Sequence, residues 1–286
     1  MRRPRLLLIP AAGLAALTLV GCGDSSSPAA STDGRSATQI LSDASAKTAA
    51  QDSYRVALTA KLDADVAKGA GGQVGAALSQ PLDISGEGTV RKPGDISFDL
   101  STTIAKAPIQ LNVTKLGDQL YISVLGQSLK LNTPKGSVKS VDPTSLPSSL
   151  VGWIASPKVV GTEDLAGVPT VHIKGDVNAA ALTHDLGSTA KRLGAGNALN
   201  SRTLAQADKA LQHGTVDIWV GTDDGLIHGA DADVALKGKV DAMSQVSALA
   251  FTISTRFSDF GTTTPITAPK GAKPLDLAKV TGLLGG

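Results

Sequence analysis

At 286 residues the chain has room for one generous domain or two small ones, and 27 Lys+Arg against 25 Asp+Glu give a formal net charge of +2. Arg2, Arg3 and Arg5 all precede residue 22; without residues 1–21 the balance is 24 basic to 25 acidic residues, a net −1, which excludes a strongly basic nucleic-acid surface. Aromatics are 3% against 42% hydrophobic residues, so the stacking platforms of base and sugar sites are scarce and the interior is aliphatic, better suited to acyl chains.

The three arginines open the chain, and residues 6–20 are apolar apart from Thr18. That apolar run is shorter than the ~20 residues a spanning helix needs, so it reads as a signal-peptide core. Leu19-Val20-Gly21-Cys22 follows at once and matches the lipobox of bacterial lipoproteins, in which the cysteine becomes the lipidated N-terminus. The plainer alternative is an ordinary signal peptide with a chance cysteine. The position of Cys22 and its being the only cysteine favour lipid attachment there. A single cysteine also allows no internal disulfide, so packing must hold the fold. The expected organisation is a signal peptide at 1–21, a tether at 22–36, one domain at 37–270 and a tail at 271–286.

Residues 23–36 are Ser, Gly, Pro and Ala-rich without apolar periodicity. A flexible stretch of that length spans on the order of 20 Å. Residues 37–50 turn helical, with Ile40, Leu41, Ala44 and Thr48 on one face. Strands follow. Val56, Leu58, Ala60 and Leu62 alternate with polar residues, the period-2 pattern of a half-buried strand. After a Gly-rich break at 69–75 come strand patterns at 84–90, 96–102, 109–113, 120–124 and 128–131. The turns between them, Lys92-Pro93-Gly94-Asp95, Gly117-Asp118 and Gly126-Gln127, are hairpin turns and not crossovers.

The middle reads differently. Asp142-Pro143 and Ser145-Leu146-Pro147 are helix starts, and Leu150, Val151, Trp153 and Ile154 continue an apolar helical segment. Residues 143–157 are the candidate flap over the sheet. A hairpin through Ala166-Gly167 joins strands at 158–164 and 168–177; Asn178 caps a helix with Leu182, Leu186, Ala190 and Leu193 on one stripe. A second helical piece runs through Leu204, Ala207 and Leu211. Strands at 215–220, 226–236 and 249–257 close the domain, and a short apolar tail follows a Pro-rich stretch. The fold class is α+β, with about ten or eleven antiparallel strands and a few helices on one face.

Five stretches carry a resemblance: Asp52-Ser-Tyr-Arg-Val-Ala-Leu-Thr59, Leu116-Gly-Asp-Gln-Leu-Tyr-Ile122, Glu163-Asp-Leu-Ala-Gly-Val-Pro-Thr-Val-His-Ile-Lys-Gly-Asp-Val177, Val216-Asp-Ile-Trp-Val-Gly-Thr-Asp-Asp-Gly-Leu-Ile227, and Phe251-Thr-Ile-Ser-Thr255 leading to Phe257 and Pro265. In this order and spacing the chain resembles the LppX/LprA/LprF/LprG family of actinobacterial lipoproteins. The resemblance implies a half-barrel akin to LolA and LolB: a curved antiparallel sheet wrapped round helices and enclosing a hydrophobic cavity for acyl chains of lipids or glycolipids. The chain departs from the family in a longer 179–214 region and an extra tail.

The alternation places Phe98, Leu100, Leu111, Val113, Leu120, Ile122 and Val124 inward on the sheet, with Leu150, Ile154, Leu182 and Leu186 inward on the helices. These are the candidate cavity-lining residues. Each alone fits ordinary core packing; as a set, with the resemblance, they fit a partly open cavity. Catalysis finds no support. His172, His184, His213 and His228 are scattered without zinc-ligand spacing, no G-x-S-x-G elbow is present, and Thr222-Asp-Asp-Gly225 lacks the further acids of a calcium loop and reads as a turn. No metal, cofactor or nucleic-acid partner is expected.

The leading expectation is a non-enzymatic, membrane-anchored carrier of acylated lipids or glycolipids on the extracytoplasmic face, with an envelope lipid transporter as candidate partner. The alternative is a sensor or scaffold of the same fold with a filled core.

Overall fold

A computed structural model describes residues 34–66, 80–104, 107–131, 146–192, 201–238 and 246–275. Helix α1 (Ala37–Ala50) starts from a capping box: the Ser36 side chain accepts from the Gln39 N–H while the Gln39 side chain accepts from the Ser36 N–H. Its buried residues are Ala37, Ile40, Leu41, Ala44 and Thr48, the face expected from the spacing.

Among the described residues twelve strands form a single open sheet. They are β1 (Ser53–Val66), β2 (Leu82–Arg91), β3 (Asp95–Ile104), β4 (Ala107–Leu116), β5 (Gln119–Val124), β6 (Gln127–Leu131), β7 (Ile154–Leu165), β8 (Val168–Val177), β9 (Leu211–Gly221), β10 (Ile227–Lys237), β11 (Val246–Ser258) and β12 (Lys273–Leu275). The order is β12-β6-β5-β4-β3-β2-β1-β11-β10-β9-β8-β7, with β1 at the middle paired to both β2 and β11. Every ladder is antiparallel except β12 on β6. This is the expected α+β architecture with one more strand: the start of the expected tail, Lys273–Leu275, joins the sheet by pairing with the edge of β6.

Among the described residues there are three more helices: α2 (Leu146–Gly152), α3 (Ala179–Arg192) and α4 (Ser201–Ala210). Asn178 caps α3, its side-chain oxygen accepting from the Ala181 N–H at 3.2 Å. Two expected boundaries are corrected. Ile154 opens β7 and is not on a helix, because the Asn178 N–H donates to the Trp153 carbonyl and Ile154 pairs with Val177. Leu211 opens β9 and does not continue α4, because it pairs with Leu236.

The helices pack over β7, β9 and β10. Thr48 of α1 accepts the Ile227 N–H through its hydroxyl at 2.9 Å, Lys47 donates to the Asp224 carbonyl at 2.8 Å, and Ser45 meets Ser148 of α2 at 3.1 Å. Trp153 donates its indole N–H to Asp185 of α3 at 3.0 Å. Under this cover lies the core, where Ile173, Ile218 and Ile227 are fully buried and Val216 and Val234 nearly so.

Candidate functional site

Residues directly opposite one another in a sheet share a face, so the register decides which side chains meet. One row crosses nearly the whole sheet: Ile173, Ile218, Ala230, Thr255, Leu58, Gly86, Leu100, Leu111 and Val124. Its first four members are buried, whereas Leu58, Leu100, Leu111 and Val124 are partly exposed. Burial therefore fades along this largely apolar row as it leaves the helices.

The neighbouring rows repeat the pattern. Phe98 lies opposite Val113, Val113 opposite Ile122, and Ile122 opposite Leu129; all are partly exposed. Ile96 and Phe98 touch the margin of the packed core. Two glycines of β2 shape this surface. A Cβ at Gly88 would stand within 2.4 Å of the Phe98 ring and one at Gly86 within 2.6 Å of Leu100. Their absence lets both side chains of β3 lie across β2.

The candidate residues thus fall into three groups. Phe98, Leu100, Leu111, Val113, Leu120, Ile122 and Val124 share the inner face of β3–β5. Leu150, Ile154 and Leu182 sit in the packed core at 3%, 8% and 7% exposure. Leu186 belongs to α3, but its side chain lies outside the described residues, as do Cys22 and residues 143–145 of the candidate flap.

Two large grooves open among the described residues. One of about 850 Å³ opens over β1–β5, lined by polar residues such as Arg55, Thr59, Glu87, Asp99 and Asn112 together with Leu100, Leu111 and Val124 of the candidate set. Another, of about 1030 Å³, lies between α1 and the ends of β8 and β9, with Ile40, Ala44, Val171 and Val220 at its floor and Lys47 and Thr222 among its lining. Both are lined by polar and apolar groups in mixture. The partly exposed rows of β2–β6 are the more contiguous apolar surface, and contiguous exposed apolar surface is what marks a binding face.

The histidines do other work. His172 stacks on Trp219 at 4.7 Å on the outer face; its ring nitrogens lie 2.7 Å from Asp217 and 3.2 Å from Glu163. Both nitrogens are therefore engaged. Trp219 also donates to Glu163 and carries Arg256 over its ring at 5.0 Å. His228 contacts Asp224 at 2.9 Å within the β9–β10 turn. Asp224 in turn accepts from the Leu226 N–H, the bonding of a tight turn. Among the described residues no cluster of three or more His, Cys, Asp or Glu is disposed to hold a metal ion.

No family model matches the chain, and no curated protein does. Solved structures do. LprF from Mycobacterium bovis is 16% identical, with 82% of this chain and 97% of that chain covered at a TM-score of 0.46. The lipoprotein LppX from Mycobacterium tuberculosis is 16% identical, with 80% and 97% covered at 0.45. A LolA superfamily protein from Nitrosomonas europaea is 11% identical, with 82% and 96% covered at 0.24. The chain's structural neighbours thus include LprF and LppX. Both were among the proteins named by the sequence resemblance.

Among the described inner-face residues outside the candidate set, one is charged. Lys115 follows Val113 by two residues, so the strand period turns it inward, and it is 7% exposed. The alternation that found Leu111 and Val113 carries the signal, had it been followed one step further.

Proposed function

We propose that this chain is a non-enzymatic lipoprotein of the cell envelope that binds acylated lipids or glycolipids and carries or presents them across the envelope. The ligand's chains lie on the inner face of β2–β6, along Phe98, Leu100, Leu111, Val113, Leu120, Ile122 and Val124. The observation that carries this reading is the fading burial along the register row from Ile173 to Val124. A contiguous aliphatic surface left partly in water is stabilised by an apolar ligand, at about 0.8 kcal/mol per buried CH₂. The lipobox supplies the anchor through Cys22, and residues 23–36 hold the domain off the membrane on its extracytoplasmic side. Among the described residues no helix is long and apolar enough to cross a membrane.

The test compares the chain exported to a lipid-rich envelope with the chain made in the cytoplasm without Cys22. Native and denatured masses are measured, and bound lipid is extracted. Stoichiometric lipid on the exported form supports the carrier; protein that stays empty when offered acylated glycolipids sinks it.

A second reading has its own observation. The half of the sheet under the helices is filled, with Ile173, Ile218 and Ile227 at 0% exposure. A sensor or scaffold with a filled core, acting through its outer surface on an envelope protein, would use that half alone. It gives empty protein in the same measurement.

A further inference from the structure

Lys115 is a cation placed on the apolar face. It lies in register between Ile96 and Leu120, with Val90 and Leu131 next along the row, and adjoins the row of Phe98, Val113 and Ile122. Its ammonium makes one hydrogen bond, donated to the Gly94 carbonyl at 2.6 Å. An ammonium has three N–H donors, and burying a charge without a counter-charge is costly. Among the described residues no carboxylate stands within ion-pairing distance. Asp95 on the same turn accepts the Gly117 N–H at 2.8 Å instead.

We infer that Lys115 receives the anionic group of the ligand: a carboxylate or phosphate joined to an acyl chain that runs from the Lys115 row over Phe98, Val113 and Leu111. This rests on the lipid-binding reading and narrows it to anionic amphiphiles. The face then has a polarity, with the charged end at the β2–β3 turn and the hydrocarbon directed toward the β5–β6 turn. Gly94 fits this arrangement. Its φ is +138°, a conformation that side chains rarely adopt, and a Cβ there would stand 3.3 Å from the ammonium.

The experiment uses the full chain with Cys22→Ser and three probes of one chain length: palmitate, hexadecyl phosphate and hexadecanol. Acetate serves as an anion without a chain. The wild type is expected to bind one or both anionic probes roughly ten- to a hundredfold more tightly than hexadecanol, the range of a charge-assisted hydrogen bond. Whichever anion leads identifies carboxylate or phosphate as the group recognised. Lys115→Met is expected to abolish the preference while leaving hexadecanol binding in place, and Lys115→Arg to retain it. Equal affinity of the wild type for all three long-chain probes overturns the role of Lys115 and leaves the lipid reading standing. So does a parallel loss of all probes in Lys115→Met, which assigns Lys115 to holding the Gly94 turn, or acetate binding as tightly as palmitate. Failure of every probe to bind the wild type removes both readings. Should Lys115→Met not fold, the wild-type preference alone decides.

Discussion

The two halves of the sheet share a strand order, a register and an aliphatic alphabet, yet their inner faces end in different states. Across β8–β10 the inward Ile, Val and Ala residues lie in the helix-covered half and are buried. Across β3–β6 the inward Leu, Val, Ile and Phe residues whose side chains are described are at least as apolar and remain partly exposed. Composition does not make the difference; cover does. A sheet face becomes core only where another layer lies on it, and the same strand chemistry without that layer stays partly in water.

The sharpest way to break this comparison is to remove equal volume from each half. Ile218→Ala is expected to cost about 2–5 kcal/mol as a cavity in a closed core, and Leu111→Ala about 1 kcal/mol, since Leu111 is only partly removed from water. Urea denaturation of both variants measures it, and equal costs would mean the two halves are packed alike. Added volume reverses the test. Val216→Trp is expected to destabilise by about 1–3 kcal/mol or more through overpacking, while Leu111→Trp folds with an unchanged melting temperature and loses its co-purifying lipid. A Leu111→Trp protein that unfolds would place Leu111 in a filled core.

Two smaller changes sharpen the role of the cover. Thr48→Val keeps shape but removes the acceptor for the Ile227 N–H, at an expected cost of about 1–3 kcal/mol; amide exchange at Ile227 should accelerate by more than that of β3 or β4. Ser36→Ala removes the cap of α1, at about 1 kcal/mol, seen as a small drop in the urea midpoint with no change at the open half.

What was legible in the sequence is what depends on near neighbours. The helical face of Ile40, Leu41, Ala44 and Thr48 follows from spacing along one helix, and the inward set from Phe98 to Val124 from alternation along single strands. The turns at Lys92–Asp95 and Asp223-Asp224-Gly225 follow from residues that tolerate them. What was not legible depends on distant partners. Nothing local says that β1 lies beside β11, that Ile154 belongs to a strand because Val177 is opposite, or that Leu211 pairs with Leu236. The cluster of His172, Trp219, Asp217, Glu163 and Arg256 draws on four strands and has no signature in any one of them. Nor does local spacing tell where two layers will close on each other, and so Leu150 and Leu182 of the helices were grouped with Leu111 of the sheet.

An open sheet has two borders, and this one treats both. At one border the three-residue β12 occupies the pairing groups of β6. At the other, β7 carries Pro157, a left-handed Ser156 at φ +47°, and two breaks in its register with β8. Unpaired strand borders invite other chains to add on, and proline and irregularity discourage it. A sheet that does not close must stay unattractive at its rims, and here a short capping strand and a broken outer strand keep opening from becoming polymerisation.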